Sequence, residues 1–326
     1  MGSGCPAGIH DRDSDTSLPR EELPPPDDGL QGYLAASVAL AQISGHIFEG
    51  MYSVPPRRGS TSQVNRLLRR TIADLYGELV RWRHEVPSHL RFTPNAQDQN
   101  NNPSVLRSIA FLDLRFQYAI ICVTRPLLFR LVCAVRDGTF DSLSKESRTF
   151  ITTYADSCSQ SARLSLATLT FMHQHSLLNN VLWHDTFYIL STTMVLLLEY
   201  LRASSTTEAY RVVECISILR NLHPRGTGRI VLDSLSDLAT FLGLDDLPPQ
   251  SPPKENTHAT GELQLYELFS PTTSTVTSPV ATGISSPEIS MNGINAGQGQ
   301  DSGQGSNEFA WMDQIVRMAY AEFGQT

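Results

Sequence analysis

Between Leu30 and Leu242, apolar side chains recur at intervals of three and four residues, and no segment alternates apolar with polar in the manner of a half-buried strand. That periodicity restricts the chain to packed helices, so the expected fold class is all-α: an irregular multi-helix domain. Leu34, Val38, Ala41, Ile43 and Phe48 mark the first helix, up to about Tyr52. The Pro55-Pro56-Arg57-Arg58-Gly59 stretch breaks the pattern, after which Ser60, Thr61 or Ser62 can cap a second helix. Leu67, Leu68, Ile72, Leu75, Leu79 and Trp82 lie on one face of it, and Pro87 ends it.

A third helix starts after Pro103 and runs through Leu106, Ile109, Leu112, Phe116 and Ile120. Pro126 stands inside it, predicting a kink or break near Thr124, because proline lacks an amide and crowds the preceding turn. The helix then resumes to Asp137-Gly138. Further helices carry Phe150, Tyr154, Cys158, Ala162, Leu166 and Leu169, ending near His175; Trp183, Phe187, Leu190, Met194 and Leu197; Tyr210, Val213, Ile216 and Leu219, closed by His223-Pro224; and Ile230, Leu235, Leu238 and Leu242. The core is expected to include Trp82, Phe116, Tyr118, Phe187 and Leu197. The most apolar run, Thr186 to Leu201, is shorter than the roughly twenty residues a membrane span needs, so it reads as a buried core helix and no membrane partner is expected.

The flanks differ. Residues 1–29 hold seven acids against two arginines and several prolines, and read as an extended acidic arm. The helical domain is assigned to residues 30–246. Residues 247–306 are dominated by Pro, Ser, Thr, Gly, Gln and Asn and cannot bury enough surface to offset the entropy of ordering, so a disordered linker is expected there. In residues 307–326, Phe309, Trp311, Ile315 and Met318 accompany Glu308, Asp313 and Glu322. A short acidic, aromatic helix is the expectation, with those four apolar residues either binding a partner or docking back onto the helical domain as a last core element.

Chemistry is sparse. The five cysteines, Cys5, Cys122, Cys133, Cys158 and Cys215, are never two to four residues apart, so no zinc knuckle or redox pair is available. His173 and His175 point to different helix faces, His184 and Asp185 are adjacent, and His84 and His89 straddle Pro87. No Gly-x-Ser-x-Gly, phosphate-cradling glycine loop or His-Glu metal motif occurs. No catalytic, cofactor-binding, metal or DNA-binding residue is assigned, no cofactor is expected, and the chain reads as a non-enzyme. Arg66, Arg69, Arg70, Arg81 and Arg83 follow one helix and read as its solvated face. Their dispersal, like that of all 23 arginines, argues against a surface that reads DNA.

The order of several motifs resembles the middle homology region of fungal zinc-cluster transcription factors. Gly4-Cys5-Pro6, then Ile9, Asp11, Asp13 and Leu18-Pro19, is similar to the family's Gly-Arg-Pro segment leading to Leu-Pro, with Cys5 in place of the usual arginine. Trp82, Val86-Pro87 and Leu90 resemble its Trp-x3-Leu-Pro-x2-Leu element. Tyr118 to Arg125-Pro126 is similar to its Tyr-x6-Arg-Pro helix, with Cys158, Ala162 and the helix led by Trp183 following in order. In physical terms these are packing devices: Trp82 an anchor whose indole wants an acceptor, Pro87 a stop, and Arg125 a candidate to bind carbonyls freed at Pro126.

The family's six-cysteine cluster and its basic linker have no counterpart in this sequence. The resemblance therefore implies a nuclear transcription regulator's effector part, serving a metabolic or secondary-metabolite gene set. Its partners would be the transcription machinery or co-regulator proteins, a second copy of the chain and a small-molecule effector. The competing expectation is a small-molecule-sensing helical co-regulator without its own DNA contact.

Overall fold

Asn102 opens the longest helix by accepting a hydrogen bond from the Ser104 amide at 3.0 Å, with Pro103 in the first turn where its missing amide costs nothing. This helix, α3 (Pro103–Arg136), is the spine of an all-α fold. In the computed structural model, residues 30–52, 61–93, 102–179 and 183–244 are described, and all belong to one compact unit. Before α3 come α1 (Tyr33–Ile47), a wider π-type turn at Phe48–Tyr52, and α2 (Thr61–Glu85); after it come α4 (Lys145–Gln174), α5 (Trp183–Ala203), α6 (Thr206–Asn221) and α7 (Thr227–Phe241). Among the described residues there is no strand.

Helix ends follow local chemistry. Ser144 caps α4 through the Ser147 amide. Pro87 holds an extended backbone that stops α2, and Arg91 then donates to the terminal carbonyls of His84 and Val86 at 2.8 and 2.9 Å. Gly138 and Gly243 adopt left-handed conformations after α3 and α7. The amides of Thr139 and Leu244 reach back to Ala134 and Ala239, closing each helix with the paired bonds of a Schellman turn.

The most extensive contact lies between α3 and α4, where small residues on α4 such as Ala155, Cys158 and Ala162 are wholly buried. Helix α5 packs on both, α6 packs on α5, α7 on α6, and α1 and α2 cover the remaining side of α3. From Ile189 to Leu198 every residue of α5 is buried, Ser191, Thr192 and Thr193 included, so it is a core helix. Among the described residues, α3 is the one helix long and apolar enough to cross a membrane. Yet 56% of that window is buried within the fold.

Several helix faces differ from the sequence expectation. Leu34 and Ala41 are exposed, and α1 instead buries Ala36, Ser37, Leu40 and Ile47. Leu67 is exposed, while Ile72, Leu75, Leu79 and Trp82 are buried as expected. Ile230 is exposed and Leu232 takes its place in the core. Tyr118 and Phe187 are only half-buried, an edge-to-face pair at 5.0 Å near the rim of the core. Each of these helices has enough apolar residues to offer two plausible faces, and only the neighbours decide between them.

Candidate functional sites

The expected packing devices take up specific posts. Trp82 is 4% exposed, stacks on Phe116 at 5.3 Å, and donates its indole N–H to the Ala36 carbonyl at 3.0 Å, tying α2 to both α3 and α1. Val86 and Leu90, on either side of Pro87, are also buried.

At Pro126 the expected alternative of a break does not occur. The helix continues without a break through Arg136. Proline leaves the carbonyl four residues earlier, that of Cys122, without its helical donor. The phenol of Tyr52 supplies that donor at 2.7 Å. Arg125, expected to bind the freed carbonyl, instead donates to the Tyr52 oxygen at 3.4 Å. The π-type turn after α1 thus carries Tyr52 onto the one defective rung of α3.

Arg83 is the second correction. Its guanidinium is buried, not solvated, and lies 3.3 Å from Asp113 on α3 and 5.2 Å over the Phe116 ring. Thr168 of α4 donates to the other Asp113 oxygen at 3.2 Å. Arg69 also leaves the solvated face, donating to Ser147 and lying over Phe150, whereas Arg70 pairs with Asp74 in solvent.

A similar bridge joins α3 to the start of α5. Arg107 donates to both oxygens of the fully buried Asp185 at 3.1 and 3.2 Å, and the Asn179 amide adds a bond at 2.6 Å. Burial pushes the Asp185 carboxyl above its ordinary value, and these donors only partly counter that. His184, its neighbour in sequence, is exposed.

The largest charged cluster joins α4, α5 and α6. Glu199 and Glu208 are buried beneath Arg163, Arg202 and Arg211. Arg163 bridges both acids, 2.7 Å from Glu208 and 3.5 Å from Glu199. Arg202 grips Glu199 with two donors at 2.6 and 2.9 Å, Ser159 adds a third at 2.9 Å, and Arg211 donates to Glu208. Burial alone would raise the Glu199 carboxyl, but the bonds from Arg202 and Ser159 and the charges of Arg202 and Arg163 outweigh it and hold it low. All donors to Glu208 meet Oε1, and Oε2 is buried without a protein partner. Asp156 stands at the rim, half open to solvent and 3.5 Å from Arg202.

Among the described residues no group of three or more His, Cys, Asp or Glu could hold a metal. His84, His89, His175 and His184 are exposed, and His173 is half-buried beside Asn221. Cys158 and Cys215 are buried and Cys122 and Cys133 half-buried, all four as free thiols. The partner-binding positions expected at Phe309, Trp311, Ile315 and Met318 lie outside the described residues, as do the acidic arm and the linker.

None of the ion clusters was singled out from sequence, though one signal existed. Glu199 interrupts the most apolar run of the chain, and Asp113 and Asp185 occupy core-facing helical positions. Acids in such places are kept only with partners. Comparison with protein-family models, curated proteins and solved structures finds no match to this chain.

Proposed function

We propose that the chain is the regulatory part of a fungal zinc-cluster-type transcription regulator. It acts in the nucleus through protein partners and without catalysing a reaction. The helical domain, 30–246, serves as a scaffold, and the acidic, aromatic segment 307–326 engages the transcription machinery or a co-regulator. One observation carries most weight. Two of the residues on which the family resemblance rests, Trp82 and Arg125, tie α2 to α1 and α3 and the end of α1 to α3. A motif order that coincides with the joints of an all-α domain supports a shared architecture better than motifs scattered on its surface.

A second reading is a helical co-regulator that senses a small molecule and has no DNA contact of its own. The partly open arginine cluster between α4, α5 and α6 favours it. Fusing the full chain to a heterologous DNA-binding domain in a fungal host tests the regulator reading. Reporter output that departs from that of the DNA-binding domain alone is expected. Unchanged output at equal abundance counts against it.

A further inference from the structure

We propose that the acidic arm, residues 11–28, docks along a basic and aromatic stripe on the outer face of α3. Arg107, Phe111, Arg115, Tyr118, Arg125 and Phe129 alternate along that helix at intervals of three, four or seven residues, which places them on one face. The first five are half-buried and Phe129 is 39% exposed, so the stripe is open to solvent along its length. Helix α1 with its π-type turn, and α5, border it. Arg115 donates to the Ser37 carbonyl, Tyr52 to that of Cys122, and Phe187 and Tyr188 lie against Tyr118 and Phe111.

The outward charge of α3 is wholly basic. The helix carries five arginines, Arg130 and Arg136 completing the set, and one acid. That acid, Asp113, is buried with Arg83. On the bordering elements, α1 carries no acid, Asp185 of α5 is matched to Arg107, and Glu199 of α5 is engaged by Arg163 and Arg202. Glu49 on the π-type turn and Asp137 just past α3 are exposed. Five arginines still outnumber Asp185, Glu49 and Asp137, so the surface suits an anionic, ring-bearing segment.

The arm matches it in charge, composition and position. Residues 11–28 hold seven acids against Arg12 and Arg20. Pro19 and the Pro24-Pro25-Pro26 run supply rings of the kind that extended proline-rich ligands lay on aromatic grooves. The arm runs directly into α1, which borders the stripe, so tethering favours it over a free partner. From Arg107 to Arg136 the stripe is about 43 Å long at the helical rise. Residues 11–28 reach about 60 Å when extended, enough to follow all of it.

The test introduces the photoreactive residue p-benzoyl-phenylalanine at Phe129 of the full chain, irradiates it and maps the cross-linked peptides. A mixture of isotopically heavy and light chains separates links within one chain from links between copies. Cross-links to residues 11–28 of the same chain are expected. Their yield should fall at least about threefold when the seven acids of the arm become Asn or Gln, the scale of losing one exposed charge contact. The same probe at Arg130, exposed beside the stripe, covers the case in which the bulkier ring at 129 disturbs folding. Links between copies would assign the stripe to self-association. Links to other segments alone, or a yield unchanged by the amide replacements, would remove the arm from it. Each of these results overturns the proposal.

Discussion

The phenol of Tyr52 meets the main-chain carbonyl of Cys122 at 2.7 Å, on the rung of α3 that Pro126 leaves without a donor. A side chain seventy residues away in sequence therefore completes a helix that a proline would otherwise weaken, and the end of α1 is tied to α3 by the same bond. Tyr52→Phe keeps the ring and removes the donor. It should cost about 1 kcal/mol, the net worth of a typical hydrogen bond. Pro126→Ala restores the backbone amide, so the cost of Tyr52→Phe should shrink in that background. Urea midpoints of the four proteins in this double-mutant cycle give the coupling; equal costs in both backgrounds would show that Tyr52 does not serve that carbonyl.

Trp82→Ala should destabilise the domain by about 3–5 kcal/mol, as expected for a buried large aromatic. Trp82→Phe should cost less but still measurably, because the Ala36 carbonyl loses its indole donor. Denaturant midpoints check both, and a midpoint unchanged by Trp82→Ala would contradict the burial.

Removing either partner of the Arg83–Asp113 pair takes the opposite charge away from a buried ion. Arg83→Met alone should cost about 3–5 kcal/mol. The double replacement Arg83→Met, Asp113→Leu should recover much of that loss. A double variant no more stable than the single one would mean that Thr168 and the other contacts of Asp113, rather than the charge pair, dominate.

Glu199 sets a pH dependence. Its carboxyl is held below the ordinary 4.5 in the folded state. A depressed folded value means that its contribution is fully present above about pH 4.5 and is lost as pH falls through the folded value. Asp156 and Asp185, both raised by burial, act in the opposite sense. Glu199→Gln should lower stability at neutral pH and flatten the decline on acidification. Denaturant midpoints measured across the acid range check this, and an unchanged acid slope would remove Glu199 from the account.

The thiols should divide by burial. Desolvation pushes Cys158 and Cys215 up to about 12, so both should resist iodoacetamide in the native chain at pH 8. Cys133, half-exposed near the end of α3, should label well before them. Peptide mapping after timed alkylation reads the order, and early labelling of Cys158 would show that α4 opens locally.

The existence and order of the helices were legible in sequence because each is long and periodic and most are punctuated by proline or glycine. Trp82 and Pro87 were legible as anchor and stop for the same local reasons. The faces of α1 and α7 were not: Leu34 and Ile230 are as apolar as the residues that are buried, and only the position of neighbouring helices excludes them. The partners of Arg83 and Cys122 lie thirty or more residues away on other elements, and Arg163 and Ser159 reach Glu199 and Glu208 from α4, so a reading of local spacing could pair only Glu199 with Arg202 and Glu208 with Arg211. The arginines of α2 illustrate this best. Arg70 and Arg83 look alike in sequence, yet one pairs in solvent and the other with a buried acid on α3.

In the regulator reading the C-terminal segment is the effector. Its most direct measurement compares reporter activation by the full chain, fused to a heterologous DNA-binding domain, with that of the same fusion carrying alanine at Phe309, Trp311, Ile315 and Met318. Activation by the first and its loss in the second, at equal nuclear abundance, is the predicted result. Output from both fusions equal to that of the DNA-binding domain alone would contradict it.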